Sequence, residues 1–475
     1  MNYRFIFDKC FALLVSILFL NLLSNQLPAQ NDTTILSYQS YIKNLLVEHP
    51  IARQTDLLND LAEAEMRGAK GFFDPQLSSN WDDKFFKDKH YYRIFNSSLE
   101  IPTWAGVTLK TTYENNRGEF LNAENTTSSN GLWSVGVEAN ILQGLVIDER
   151  RAALKQATLF QSMTFNERLS IRNYLIQAAT SAYLDWQMNH AIQAVIQQSI
   201  TLAEEYFEGT RTAYLNGDKP AIDTLEAFMI IQDRRALLQS NSIKLNKSRQ
   251  NLENFLWSNQ IPQTLNPNTV PEPLDNPLLS SFQQRGIGEI INSHPDILSK
   301  ELKRESKIIE RRLKNDKLKP KLKLKYNPLL STTEESIAPN YSLADYKWGF
   351  SFSTPLLWRK ERAALDKTDL QIREIDLDLS EKRNTLQNKI EASLQNQALL
   401  QDQLELIRQN SENYLALQVA EQEKFSYGES SVFLLNKRQE KYLDAQIKVI
   451  EVQTKYLLEI LNYLYLSNDL SSLFE

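Results

Sequence analysis

Two periods of apolar residues divide this chain. Between about residues 75 and 142, and again between about 320 and 354, apolar and polar positions alternate. Trp133, Val135, Val137, Ala139 and Ile141 alternate with Ser134, Gly136, Glu138 and Asn140. Leu322, Leu324 and Tyr326 alternate with Lys321, Lys323 and Lys325, and Trp348, Phe350 and Phe352 alternate with Gly349, Ser351 and Ser353. A period of two puts each set on its own face of a strand, so these stretches predict β-strands with one aromatic, apolar face and one polar or charged face. A half-buried sheet in a soluble protein shows the same alternation.

After each strand region the period lengthens. From Ile147 to about Asn216 the only helix breaker is Gly209, and from Arg359 to about Tyr427 there is none. Each stretch predicts one helix; roughly 70 residues at about 1.5 Å each give a rod on the order of 100 Å. Leu400, Leu404, Ile407, Ser411 and Tyr414 step by four and three, and so do Ile192, Val195, Ser199, Leu202 and Tyr206. That is coiled-coil spacing. Small residues in these seams, with Ala178 and Ala182 upstream, predict close helix packing. Each long helix stops at Gly217-Asp218-Lys219-Pro220 or Gly428-Glu429-Ser430-Ser431 and is followed by a second helix, to about Trp257 or Leu470. Glycine at a helix end and proline at a helix start predict a long antiparallel hairpin.

The same landmarks occur twice. His49-Pro50 is answered by His294-Pro295 and Pro75 by Pro320, both at an offset of 245; Arg151-Ala152-Ala153-Leu154 is answered by Arg362-Ala363-Ala364-Leu365 and Gly217 by Gly428, both at 211. Four landmarks in one order predict an internal duplication. The 34 residues by which the offsets differ belong to the strand region of the first copy. The expected organisation is a signal peptide over 1–29, a first repeat over 30–259, a proline-rich connector over 260–280 and a second repeat over 281–475. The first repeat would hold strands at about 75–142 and a helical hairpin at about 147–257; the second, strands at about 320–354 and a hairpin at about 359–470.

Composition then narrows the setting. Arg4 and Lys9 precede an apolar run from Cys10 to Leu23 and a small-residue site at Ala29, the pattern of a secretory signal. Cys10 is the only cysteine, so neither disulfides nor cysteine chemistry is expected in the mature protein. With 53 basic and 59 acidic residues the chain is mildly acidic, which argues against nucleic acid as a partner. Export, aromatic strand ends (Trp81, Tyr113, Trp133, Tyr326, Trp348) and Asn/Ser/Thr-rich loops together favour an outer-membrane barrel over a soluble sheet. One chain has too few strands to close a barrel. Other protomers would have to complete it, since an open edge in lipid is not viable.

At this point the chain resembles the TolC-like outer-membrane efflux proteins over nearly its whole mature length. The residues that carry the resemblance are Gly71-Phe72-Phe73-Asp74-Pro75-Gln76-Leu77 leading into the first strand, and Phe350-Ser351-Phe352-Ser353-Thr354-Pro355-Leu356-Leu357 closing the last. Two hairpin tips complete it, one with Tyr214, Gly217, Asp223, Leu225 and Ala227, the other with Phe425 and Gly428. The resemblance implies a mainly α protein with a membrane β portion. It implies a homotrimer whose strands form one β-barrel in outer-membrane lipid and whose helices continue as a periplasmic α-helical, coiled-coil barrel. It also implies a periplasmic adaptor protein and an inner-membrane transporter as partners, in tripartite efflux or type I secretion. Two departures stand out. Leu434 replaces an acid six residues after Gly428, and Tyr92–Ile101 with Val107–Tyr113 reads as an extra strand pair around an Ile101–Gly106 turn, so that the first copy supplies two or four barrel strands.

No catalytic constellation is legible: no phosphate loop, nucleophile elbow or zinc spacing occurs, and no cofactor is expected. His49, His90, His190 and His294 are not spaced for a metal; His49 and His294 read as helix starts or bends. Within a barrel Lys321, Lys323, Lys325 and Glu138 would face the lumen, and the lysines would make it locally cationic. Trp133, Tyr326, Trp348, Phe350 and Phe352 would face the membrane. Gly217, Asp218, Asp223, Gly428 and Glu429 would form the periplasmic tips. The competing reading is a periplasmic or secreted coiled-coil interaction protein without a pore.

Overall fold

The computed structural model describes residues 34–274, 284–331 and 340–474. The expected signal peptide, part of the expected connector and residues 332–339 lie outside them. Helices dominate. In chain order the elements are β1 (Thr34–Leu36), α1 (Tyr38–Glu48), α2 (Pro50–Gly71), β2 (Gln76–Phe86), β3 (Lys89–Pro102), β4 (Val107–Arg117), β5 (Leu132–Asn140), α3 (Glu149–Leu215) and α4 (Ala221–Glu253). There follow β6 (Trp257–Ser258), β7 (Ile261–Pro262), β8 (Thr269–Pro271), α5 (Ile287–Ser293), α6 (Pro295–Asp316), β9 (Lys321–Ser331), β10 (Asn340–Ser353), α7 (Arg359–Ser426) and α8 (Val432–Ser467). Among the described residues no helix is long and apolar enough to cross a membrane.

The chain divides into two compact units. Of the described residues, one holds 34–45, 179–274 and 403–455; the other holds the rest. The first unit is helical. Its core runs through Ile192, Ile196 and Ile200, packed by Met188, Leu238, Ile447 and Ile450, and on to Ala203, Ile230 and Ile231. The buried line on α3 therefore steps by four, four and three. Of the expected seam, Ile192 is buried and Val195, Ser199, Leu202 and Tyr206 are half-buried. Two lines diverge after Ile192, and the fully buried one runs through the branched isoleucines Ile196 and Ile200 to Ala203. In α7 the expected residues do hold the seam, with Leu404 buried and Leu400, Ile407, Ser411 and Tyr414 half-buried.

Within the helical unit a ring cluster ties β1 and α1 to α3. Tyr38, Tyr41 and Trp186 pack around Tyr183, with ring centroids 5.4, 5.5 and 5.9 Å away. The Tyr183 hydroxyl donates to the Leu36 carbonyl at 2.7 Å, and the Tyr38 hydroxyl meets Thr180 Oγ1 at 2.8 Å. Burial pushes both phenols far above their ordinary pKa, so they act only as neutral hydrogen-bonding groups. β1 pairs in parallel with β8, and β6 pairs with β7, so the described part of the connector carries short strands rather than being irregular throughout. Pro262 and Pro271 sit at strand ends, where a missing N–H costs no ladder bond.

The second unit holds the sheet. Six strands pair antiparallel without interruption in the order β10-β9-β5-β4-β3-β2. Four of them come from the first strand region and two from the second. Helices α2 and α6 have the same length, 22 residues, and the same start. Nδ1 of His49 accepts the Ile51 amide at 3.2 Å, and Nδ1 of His294 accepts the Asp296 amide at 3.2 Å. Each histidine thus serves as an N-cap, with proline in the first turn, where its missing N–H is no loss. At the exit of α6 the buried Asp316 carboxylate accepts the Gly144 amide at 2.5 Å and Lys319 Nζ at 2.6 Å, fixing the turn between β5 and α3.

Candidate functional site

The two faces of the sheet are chemically distinct. The register carries Ile101 to Leu109, Val137, Tyr326 and Trp348 on one face, and Leu99 to Thr111 and Val135 beside them. Across the first four strands this face bears an aromatic ladder: Trp81–Phe95 at 5.8 Å, Phe95–Tyr113 at 6.1 Å and Tyr113–Trp133 at 4.8 Å. These are offset and edge-on contacts of the kind rings prefer. The opposite face carries Gln76, Glu100, Lys110 and Gly136 in one row, Ser78, Ser98, Thr112 and Ser134 in the next, and Thr108, Glu138, Lys325 and Gly349 in a third.

The apolar face is the exposed one. Trp348 is 63% exposed, Phe350 64% and Val135 49%, whereas Ser134 and Glu138 on the other face are 7% and 5% exposed. Phe352, Tyr326 and Trp133 are exposed as well. Water would expel such a surface: apolar area costs about 25 cal/mol per Å² when wetted, and a contiguous exposed patch of this extent marks contact with a partner or a membrane. The inner polar face is tightly filled. A side chain at Gly136 would collide with Asn327 and the Tyr326 carbonyl, so only glycine permits β9 to lie this close there.

Within the polar face five charged side chains are paired. Glu138 forms ion pairs with Lys323 and, at 3.6 Å, with Lys325, and Lys110 reaches Glu100 at 2.5 Å. Of the three lysines expected to make a cationic wall, Lys323 and Lys325 thus share the carboxylate of Glu138. The reason is register: Glu138 lies opposite Lys325 across the β5–β9 pair, and Lys323 lies one step along, opposite Asn140. Thr112 and Ser134 hydroxyls meet at 2.5 Å in the same layer.

The hairpin tips lie in the helical unit and share one backbone device. Asp218 N–H donates to the Ala213 carbonyl at 2.9 Å and Gly217 N–H to that of Tyr214 at 3.0 Å; Glu429 donates to Lys424 at 2.9 Å and Gly428 to Phe425 at 3.1 Å. Both ends are Schellman motifs, with Gly217 at φ 82° and Gly428 at φ 78°, a left-handed conformation that favours glycine. Asp223 stands in the first turn of α4, where its charge complements the helix dipole.

Sequence reasoning placed Lys219 and Phe425 at the tips but missed the contact between them. Lys219 Nζ sits 3.7 Å from the centre of the Phe425 ring, whose other neighbour is Tyr206 at 5.2 Å. Burial pulls the Lys219 ammonium below its ordinary pKa, while Asp223 pulls the other way. These contacts join residues about 200 positions apart, and no local spacing announces them. Glu421, nearly buried, accepts from Ser430 at 2.6 Å and faces Arg438 at 3.5 Å.

The sequence matches no protein-family model and no curated protein sequence. Solved structures do match it. The outer membrane protein VceC from Vibrio cholerae superposes with a TM-score of 0.65 at 12% identity, covering 90% of this chain and 95% of that one. This chain has a TolC-like fold. The CmeC outer membrane channel of Campylobacter jejuni is similar at a TM-score of 0.63, 12% identity and coverage of 90% and 85%. The open-state MtrE outer membrane channel of Neisseria gonorrhoeae is similar at 0.64, 13% identity and coverage of 90% and 88%. The matches span 85–95% of those three chains.

Proposed function

We propose that this chain is the subunit of an outer-membrane channel in a tripartite efflux or type I secretion system. It would pass substrates from an inner-membrane transporter, through a periplasmic adaptor, to the outside. The observation that carries the reading is the inside-out sheet, with Trp348, Phe350 and Val135 exposed and Ser134 and Glu138 covered. Lipid is a solvent in which an exposed aromatic face is stable, and a polar inner face is what a water-filled lumen requires. The TolC-like fold supports the same reading, since solved structures of that fold include outer membrane channels.

A sheet with open edges cannot stand in lipid, so copies of the chain close on one another, as a homotrimer by the resemblance. The paired landmarks, including the two histidine caps and the two glycine tips, support a duplicated unit and hence a pseudo-sixfold ring in the trimer. Gly217, Asp218, Asp223, Gly428 and Glu429 would then ring the periplasmic mouth. A poreless coiled-coil protein in the periplasm is the weaker reading, because it gives the exposed aromatic face no use. The test is fractionation followed by reconstitution. The protein should appear in outer membranes as a detergent-stable oligomer and produce discrete conductance steps in planar bilayers. Recovery as a soluble protein without conductance would sink the proposal.

A further inference from the structure

Six strands in one sheet are more than the two strands per repeat expected of the simplest TolC-like chains. Strand β3 pairs with β4 over the whole run from Arg93 to Pro102, so the outer edge of β4 is occupied. The exposed edges are β2 and β10, and β2 is exposed along its entire length. The apolar band continues to both: Leu77 and Trp81 on β2, Trp348, Phe350 and Phe352 on β10.

Direction agrees with pairing. With six strands, each antiparallel to its neighbour, β2 and β10 run in opposite senses, so the β10 of one copy can meet the β2 of the next and keep the alternation. The added hairpin also begins and ends at one side. β2 follows the exit of α2, and the β3–β4 turn at Thr103–Gly106 returns to the helix-bearing end, where a Cβ on Gly106 would meet the Arg151 guanidinium and the Gly144 carbonyl. Thr103 closes that turn by donating to the Val107 carbonyl from both its amide and its hydroxyl, at 2.9 and 2.6 Å. Without residues 76–105, α2 would lead directly into β4 with direction preserved.

We infer that the hairpin Gln76–Pro102 is part of the barrel wall, and that three copies close a barrel of about 18 strands. The inference rests on the channel reading. At about 4.8 Å between strands and a tilt of about 40°, 18 strands give a backbone diameter of roughly 36 Å, against roughly 24 Å for 12.

Electron cryo-microscopy of the detergent-purified full-length oligomer counts the strands. Cysteine pairs supply the second measurement: Ser78→Cys, Asn80→Cys or Asp82→Cys on β2 with Ser351→Cys on β10 should cross-link between copies, and Thr108→Cys or Thr112→Cys on β4 with Ser351→Cys should not. A variant lacking residues 76–105, where it assembles, should exclude polyethylene glycols from the outer side that the full chain admits. Cross-links from β4 to β10 between copies, or a ring of about 12 strands with the hairpin outside it, would overturn the inference and leave the channel intact. Failure to form any ring or conductance would overturn both.

Discussion

In the helical unit the apolar side chains turn inward and in the sheet they turn outward. Ile196 on α3 is 0% exposed, while Val137 on β5 is 40% exposed and its neighbour Glu138 only 5%. Both regions obey one rule, that apolar surface leaves water. The helices satisfy it with their own neighbours, but the sheet satisfies it only if something other than water lies against its outer face. The difference teaches that burial within one chain is an incomplete guide to the core of a membrane protein. On the channel reading the sheet's core is its polar layer, and lipid completes its outer face.

The comparison breaks hardest at its two apolar centres. Ile196→Ala removes a fully enclosed side chain from the cluster with Ile192 and Ile200. It should cost about 2–5 kcal/mol in unfolding experiments without altering lipid contact of the sheet. Val137→Lys should cost about 2–4 kcal/mol as measured by reversible folding into lipid vesicles, the range for a basic residue on a lipid face. Thr112→Lys, on the opposite face, should insert nearly as well as wild type. A Val137→Lys protein that folds into vesicles as readily as wild type would place that face in water.

A smaller change sharpens the polar side. Glu138→Gln leaves Lys323 and Lys325 without their shared carboxylate. Reconstituted channels should shift their reversal potential toward anions, whereas Lys323→Gln should shift it toward cations. No shift from either would mean that this layer does not line the ion path.

The smallest effect concerns acid. His190, in the helical unit, and His294, in the sheet unit, both have their pKa lowered, chiefly by burial; at His294 the nearby Asp296 opposes this and Lys382 assists it. Folding depresses both values, so the unfolded chain takes up the proton first. The stability is complete above the unfolded value of about 6.5 and is lost as pH falls below it. Asp296 adds to the loss at still lower pH: although its burial works the other way, Lys382 at 2.8 Å and Ser170 at 2.6 Å hold its carboxyl below the usual range. Thermal melts between pH 7 and 5 should show a falling midpoint, reduced in His294→Gln, which keeps a side-chain acceptor for the cap.

Much of this was legible in the sequence because it depends on local chemistry. Alternation at Trp133–Ile141 and Trp348–Phe352 gives strands their faces, and His-Pro gives a cap whether or not the rest of the fold is known. What was not legible depends on pairing. The Glu138–Lys325 opposition follows from register, which no single strand specifies. The seam at Ile196 rather than Val195 follows from which of two apolar lines the neighbouring helices meet. Lys219 over Phe425 joins two hairpins far apart in sequence. The extra strand pair around Pro102–Gly106 was visible as a pattern, but its place in the same sheet as the other four strands came only with the structure.

One measurement reaches the central claim directly. Cys10 is the only native cysteine, so in a Cys10→Ser background single cysteines at positions 133, 134, 135, 137 and 138 of β5 can carry a fluorophore in vesicles that contain nitroxide lipids. The account predicts quenching with a period of two: strong from lipid at 133, 135 and 137, and strong from a water-soluble quencher at 134 and 138. Equal access of the water-soluble quencher to both sets, with no lipid quenching at either, would contradict it.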